Sequence, residues 1–308
     1  MRNTFINTLY DLAIDDKNIY LMTGDLGFGV LTKFWETYPD RFFNAGIAEQ
    51  NMTSVAAGMA LEGKNVFTYS IANFPTLRCL EQIRNDVAYH NANVKIVSIG
   101  AGFAYGGAGM SHHATEDLAI MRSLPNITVF SPADPLETVY VTKAACALNS
   151  PCYIRLGKGG ESNIHDNIRN FEIGKAIKII DGKKICIFAT GSIAIEAKKA
   201  AINLNNSKIS TALYTFPTVK PIDIELIENC ALEFDLIITI EEHNIVGGFG
   251  SAVAEVMAEI NSNSVLRRIG LKDTYSSIVG SQEFLRDNYG MSHRSIEDTV
   301  LSFISEGK

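Results

Sequence analysis

The sequence has little cysteine, little clustered positive charge and no long apolar run, and each absence excludes a class of protein. Its five cysteines among 308 residues are widely spaced and include no Cys-x-x-Cys pair, which argues against a disulfide framework or a zinc site and indicates reduced thiols, as in the cytoplasm. No stretch approaches the roughly 18 consecutive apolar residues of a membrane span, and the N-terminus lacks the apolar core of a signal peptide. With a net charge of −7 and no basic patch, the chain is not expected to bind nucleic acid.

The remaining composition, 46% hydrophobic and 20% charged, is typical of a globular protein, and the length suggests about two domains. Short apolar runs alternate with helix-like segments, which predicts parallel strands joined by crossover helices. The predicted strands of the first part are residues 19–23, 65–69, 94–99, 128–130 and 152–156, and the predicted helices include 48–61 and 80–90.

The alternation breaks at residues 157–170, which are rich in Gly, Asn, His and Asp and indicate an interdomain linker. It then restarts with predicted strands at 185–189, 208–214 and 236–240. Two helices are predicted between and after them, one that ends near residue 204 and one over 253–260. We therefore expect two α/β domains, each a mainly parallel sheet with helices on both faces. The domains are residues 1–160 and 172–308, and the linker is 161–171.

One candidate site residue is Glu49, within the segment Asn-Ala-Gly-Ile-Ala-Glu-Gln-Asn of residues 44–51. The helix that follows is rich in small residues, which allow close approach of a backbone or a ligand. Burial would disfavour the charged form of Glu49, whereas the helix N-terminus would favour it. The pattern alone favours an ordinary acid that stabilises the first helical turn, and a functional acid is the alternative.

Two other candidates follow predicted strands, where open parallel sheets bind ligands. Phe74 can stack on a flat ring or fill the core under its loop. Residues 100–113, the glycine loop, contain five glycines and end in His112 and His113, which can titrate near neutral pH. Their spacing matches neither the dinucleotide fingerprint nor the P-loop, and a mobile loop with two surface histidines is the alternative.

Together these segments resemble the transketolase family, and specifically its C-terminal section as a separate chain. The resemblance covers nearly the whole sequence. It rests on Thr23-Gly24-Asp25-Leu26, on residues 43–52, on Arg122-Ser123-Leu124-Pro125-Asn126, on Ala189-Thr190-Gly191-Ser192, on Lys220-Pro221-Ile222-Asp223, and on Glu241-Glu242-His243 with Gly247-Gly248-Phe249-Gly250.

The resemblance implies an enzyme that uses thiamine diphosphate to transfer a two-carbon ketol unit from a ketose to an aldehyde. Glu49 falls on the family's glutamate that hydrogen-bonds the aminopyrimidine ring of the cofactor and helps to activate it. Phe74 falls on an aromatic residue that stacks on that ring, and Asp25 on an acid near the cofactor. His112 falls on a catalytic histidine near the substrate.

The family's Gly-Asp-Gly motif, which holds the cofactor diphosphate through Mg²⁺, is missing from this sequence. The resemblance therefore implies a partner, an N-terminal-type transketolase subunit that carries the motif. We expect an α2β2 heterotetramer with the cofactor between the chains, no metal ligands in this chain, and no activity without the partner.

The substrate side departs from the family. Ala108 replaces an acid that contacts the donor sugar, Gly100 replaces a histidine, and Gly29 replaces a phosphate-binding serine. Lys158 replaces a phosphate-binding arginine and keeps its charge without the bidentate fork. These departures predict an unusual, modified sugar as the substrate. Two alternatives stay open: a 2-oxoacid-decarboxylating subunit, like deoxyxylulose-phosphate synthase or 2-oxoacid dehydrogenases, and a catalytically silent scaffold.

Overall fold

The computed structural model describes residues 1–307, which fold into two sheets flanked by helices. The strands in this range are β1 (Ile19–Thr23), β2 (Phe42–Asn44), β3 (Asn65–Ile71), β4 (Val94–Ile99), β5 (Thr128–Phe130), β6 (Cys152–Leu156), β7 (Ile177–Ile180), β8 (Ile185–Ala189), β9 (Thr211–Thr215), β10 (Thr218–Lys220), β11 (Leu236–Asn244) and β12 (Val265–Leu271). The α-helices are α1 (Arg2–Asp15), α2 (Thr32–Thr37), α3 (Glu49–Leu61), α4 (Leu80–Gln82), α5 (Asp117–Ser123), α6 (Pro135–Ala147), α7 (Ala194–Asn206), α8 (Ile224–Glu233), α9 (Phe249–Ala258), α10 (Gln282–Asn288) and α11 (His293–Ser305).

The first sheet has the strand order β10-β5-β6-β4-β3-β1-β2, and all its pairs are parallel except the pair of β10 with β5. Successive residues of a strand point to opposite faces, so Ile96 and Val97 of β4 enter two different cores. Helix α3 contributes Met52 to one core, and helix α1 contributes Phe5 to the other. Helices on both faces explain why these strands are continuous apolar runs.

The second sheet has the order β12-β11-β8-β9-β7, with β7 antiparallel to β9 and the other pairs parallel. Helices α7 and α11 pack against each other beside it, and α7 is rich in alanine, which allows close packing. The expected fold class, two mainly parallel sheets with helices, is confirmed. No helix within residues 1–307 has the length and apolar content needed to cross a membrane.

Several elements differ in extent from the sequence prediction. The helix expected over 80–90 is α-helical only in α4 and continues as a π-helix over Ile83–Ala88. Strand β11 extends to Asn244, whereas the predicted strand ends at Ile240. The extension carries the carboxyl groups of Glu241 and Glu242 into the interior, and it is possible because donors from other segments bond both of them.

The topology places three loops at one edge of the first sheet. Strands β1, β3 and β4 are neighbours and parallel, so their carboxyl ends point the same way. The segment after β1 begins at Gly24, the segment after β3 contains Phe74, and the glycine loop follows β4. This edge is where an open parallel sheet offers a ligand site.

Candidate active site

Glu49 lies in the first turn of α3, and its side chain is 2% exposed. It packs over Gly24, where a Cβ atom would lie 3.2 Å from Glu49 Cγ. A residue with a side chain at position 24 would therefore press against the acid. The helix N-terminus adds partial positive charge near the carboxylate. The chain thus builds a buried acid at the edge where the three loops meet.

Arg78 links two of the predicted site residues. Its Nη1 atom lies 2.8 Å from Glu49 Oε2, and its Cζ atom lies 4.6 Å from the centroid of the Phe74 ring. The guanidinium is thus bonded to the acid and lies over the aromatic ring, an arrangement that a planar cation favours. The structure brings Glu49 and Phe74 to one place.

Tyr105 similarly links His112 to Lys158. The ring centroids of Phe74 and His112 are 5.3 Å apart in an edge-to-face arrangement, and those of Tyr105 and His112 are 6.4 Å apart. Lys158 places its Nζ atom 5.1 Å from the centroid of the Tyr105 ring. A row of contacts therefore runs from the buried acid to an exposed lysine.

The two linking residues, Arg78 and Tyr105, are not among the residues that the sequence pattern singles out. Arg78 lies four residues after Phe74 in the same segment, which is a usable signal, since a cation and an aromatic residue at that spacing can meet in a turn. Tyr105 lies within the glycine loop, where the glycines and the two histidines are the more conspicuous residues.

Asp25 lies beside this row, next to Gly24, and is exposed with a backbone φ of +56°. Its N–H donates to Asn44 Oδ1 at 3.0 Å, and Asn44 Nδ2 donates to Asp25 Oδ1 at 2.9 Å. The same Asn44 oxygen accepts from the Gly46 N–H. These bonds fix the turn that precedes α3, so Asn44 supports both the acid at 25 and the entry to the helix.

Of the predicted departures on the substrate side, Gly100 has a structural counterpart in Tyr105. Gly100 has a φ of +102°, and a Cβ atom there would lie 2.3 Å from Tyr105 Cδ2 and Cε2. The absence of a side chain at 100 therefore makes room for the tyrosine ring. Ala108 and Gly29 are exposed, with no polar side chain at either position.

The side chains gathered at this edge suit a planar heteroaromatic ring as a ligand. Phe74 offers a half-buried aromatic surface and Glu49 a carboxylate close to it. Two buried polar atoms nearby, Asn73 Oδ1 and His113 Nδ1, make no hydrogen bond within the described residues. Burial also lowers the pKa of His113, so its neutral form is favoured. Asn73 adjoins Phe74 in the chain, and its unpaired oxygen fits a ligand ring that carries hydrogen-bond donors, whereas the His113 ring packs on Phe103.

The same residues do not suit a metal-bound diphosphate. Over residues 1–307, no group of three or more His, Cys, Asp or Glu side chains is arranged to hold a metal ion. The side chains gathered at this edge are therefore an acid, an arginine and aromatic rings rather than a cluster of metal ligands.

Comparison with known proteins gives matches over both domains. Residues 1–160 match the family model for the transketolase pyrimidine binding domain, and residues 174–296 match the model for the transketolase C-terminal domain. A transketolase C-terminal section of Methanocaldococcus jannaschii is 39% identical over 98% of this chain and 95% of its own length. One subunit of an apulose-4-phosphate transketolase of Phocaeicola vulgatus is 34% identical over 99% of this chain and 97% of its own.

A solved structure has a similar fold over nearly the whole chain. It is a split-gene transketolase in an inactive β4 tetramer, with a TM-score of 0.88 and 36% identity. The match covers 98% of this chain and 96% of that one.

Proposed function

This chain belongs to the transketolase family, and on that premise we propose that it is the C-terminal subunit of a split transketolase. With an N-terminal-type subunit it transfers a two-carbon ketol unit from a ketose donor to an aldehyde acceptor. Thiamine diphosphate supplies the nucleophilic carbon for this transfer, and the protein supplies binding, orientation and proton handling.

The observation that carries the proposal is the placement of Glu49 beside Phe74, joined by Arg78. In this assignment Glu49 hydrogen-bonds the aminopyrimidine ring, and Phe74 stacks on it. Asp25 lies near the cofactor at the adjoining turn. A buried acid is suited to this role, because a hydrogen bond is electrostatically stronger where water is excluded. A positioned acid can also assist proton transfer.

His112 and Lys158 are assigned to the substrate. His112 can exchange a proton with a hydroxyl or carbonyl group of the sugar, and Lys158 offers a positive charge to an anionic group. Gly100 and Tyr105 replace the family's usual polar surface with an aromatic one. We propose a modified sugar as the substrate, and the similarity to an apulose-4-phosphate transketolase subunit supports this choice.

The partner is a chain of the N-terminal type that carries Gly-Asp-Gly and holds Mg²⁺ and the diphosphate. We assign residues 1–160 to the pyrimidine-binding domain, 161–171 to the linker and 172–308 to the C-terminal domain. The active form is an α2β2 heterotetramer in which copies of this chain also associate with one another. The β4 assembly of the similar split-gene transketolase supports self-association of such a subunit.

The test is calorimetric titration of thiamine diphosphate with Mg²⁺ into this chain, into the candidate partner, and into their mixture. We expect tight binding in the mixture and none in either chain alone, because the groups for the two ends of the cofactor lie on different chains. Tight binding to this chain alone would contradict the two-chain assignment.

Turnover assays on the mixture then separate the reaction classes. Ketol transfer from sugar phosphates supports the proposal, and activity concentrated on modified sugars supports the substrate assignment. Turnover of pyruvate instead would identify a 2-oxoacid-decarboxylating subunit. A mixture that assembles but binds no cofactor would identify a scaffold.

A further inference from the structure

The glycine loop is closed at its base and rests on the second domain. Gly102 and Ala114 exchange two N–H to carbonyl hydrogen bonds, both 3.0 Å long, so the intervening residues leave and return at one point. This excursion carries His112, which the proposed function assigns to the substrate, and Tyr105, which lies beside both His112 and Lys158. Whatever holds its base therefore sets the position of both side chains.

Glu242 of β11 contacts that base directly. Its Oε1 atom accepts the Phe103 N–H at 2.7 Å, although the two residues are 139 positions apart in the chain. Gly102 has a φ of +58°, and a Cβ atom there would lie 2.5 Å from Glu242 Cγ. The loop can approach the carboxylate this closely only because residue 102 has no side chain.

Donors from helix α10 fix the same carboxylate. Gln282 Nε2 lies 2.9 Å from Oε1 and 3.0 Å from Oε2 of Glu242, and Arg286 donates from Nε at 3.0 Å and from Nη2 at 2.5 Å. Glu242 is 2% exposed and Arg286 is 6% exposed. A buried carboxylate with this many charge-assisted bonds has little freedom to move.

Two other contacts reinforce the junction from the second domain. The Phe103 ring stacks on Tyr289 with a centroid separation of 5.5 Å. Gly106 approaches Gly280 so closely that a Cβ atom at 106 would lie 2.5 Å from the Gly280 carbonyl oxygen. From β6 of the first sheet, Arg155 Nη2 donates to the carbonyl groups of both Ala114 and Glu242.

We infer that Glu242, held by Gln282 and Arg286, is a positioning residue that fixes the glycine loop for the substrate. It touches neither the cofactor-binding residues nor His112 itself, and it acts through the Phe103 N–H. The second domain thus controls sugar binding in the first. The expected effect on the donor KM rests on the proposed function. The expected effect on the position of the glycine loop rests on the contacts alone.

The experiment compares Glu242→Gln with Glu241→Gln in the complex of the full-length chain with its partner. Glu241 is adjacent and equally buried, but its carboxylate accepts the Phe249 and Gly250 N–H groups at the start of α9. Because neighbouring residues of a strand face opposite ways, the control changes the same chemical group away from the loop. If Glu242→Gln does not fold, Gln282→Ala tests the same contact more mildly, because it removes one donor to Glu242. Its control is Glu283→Ala at the exposed neighbouring position.

Hydrogen exchange of the amides of residues 103–113 measures the loop without any substrate. We expect exchange to rise at least about tenfold in Glu242→Gln and to stay at the wild-type rate in Glu241→Gln, since loss of one charged hydrogen bond is worth a tenfold change or more. Unchanged exchange in folded Glu242→Gln and Gln282→Ala would overturn the inference.

Steady-state kinetics then measures the consequence for the sugar. The KM for the donor should rise several-fold in Glu242→Gln and less in Gln282→Ala, while the Kd for thiamine diphosphate stays within about twofold in both, because the loop contacts the sugar rather than the cofactor. Equal effects on KM and cofactor Kd would refute a positioning role. Absence of ketol transfer in the wild-type complex would refute the proposed function instead, and the exchange result would still stand.

Discussion

Arg78 lies 2.8 Å from the Glu49 carboxylate through Nη1, and the acid is almost fully buried whereas the arginine is 44% exposed. The pair therefore has one member in the interior and one that reaches water. Breaking such a pair from the exposed side leaves a buried carboxylate without its cation, which costs more than the pair itself contributes. Arg78 is consequently the residue through which a surface substitution would reach the buried Glu49 carboxylate.

The first prediction concerns this pair. Arg78→Gln should weaken binding of thiamine diphosphate to the two-chain complex by about tenfold or more, because Glu49 loses its charged partner and the Phe74 ring loses its cation. Arg78→Lys should lie between wild type and Arg78→Gln, since it keeps the charge without the planar fork. Calorimetry of the complex measures both, and equal affinity in all three proteins would show that Arg78 has no part in the site.

The second prediction concerns Glu49 itself. Glu49→Gln should reduce kcat of the complex by roughly 10² to 10⁴-fold, the range of general acid–base assistance. The matched control is Glu81→Gln, the same change at an exposed acid. Size-exclusion chromatography should show that both variants still assemble with the partner. A Glu49→Gln complex with normal kcat would remove this residue from the catalytic assignment.

The third prediction concerns the backbone of the glycine loop. Gly102→Ala should destabilise the chain by about 1–3 kcal/mol, because the new Cβ meets Glu242 and the φ of +58° is strained for alanine. Gly107→Ala is the control, since a Cβ atom at 107 has nothing within 4 Å. Urea unfolding of both variants measures the difference. Equal stability of the two would mean that the loop base can relax away from the second domain.

The fourth prediction concerns pH. Burial raises the pKa of Glu241 to about 7, and the Gly250 and Phe249 N–H groups only partly oppose this. The ordinary value is 4.5, so between about pH 4.5 and 7 the folded chain holds a proton that the unfolded chain has released. This group therefore stabilises the fold at low pH, and its contribution is lost as the pH rises to about 7.

Glu241→Gln should consequently show a smaller fall in the free energy of unfolding between pH 5 and 8 than the wild type does. The difference in slope isolates this group, since each unit of pKa shift corresponds to about 1.4 kcal/mol. Chemical denaturation at several pH values measures it. Parallel pH profiles of the two proteins would show that Glu241 ionises normally in the folded chain.

The sequence predicts eight of the twelve strands that the structure describes, missing β2, β7, β10 and β12, and it predicts the site only in part. Five strands begin and end where the apolar runs do: β1, β4, β5, β6 and β8. Parallel strands buried on both faces are apolar throughout, so the change to polar residues marks where each strand ends. Strand β10 has one apolar residue and lies between Pro217 and Pro221, whereas the equally short β5 has two and follows Ile127, so no apolar run marks β10 as part of a sheet. The sequence gives no sign of Glu242 as a support for the loop, because its partner Phe103 is far away in the chain and no spacing rule links them.

The position of strand β10 has a consequence for where this chain could be divided. It comes from the C-terminal segment, yet it pairs with β5 and forms the edge of the first sheet. A gene boundary placed between residues 160 and 172 would leave β5 as a bare edge, open to pairing with foreign strands. Because β10 and β5 belong to one polypeptide, the edge of the first sheet is covered without a separate association step, and a break between them would make that cover depend on reassociation of the fragments.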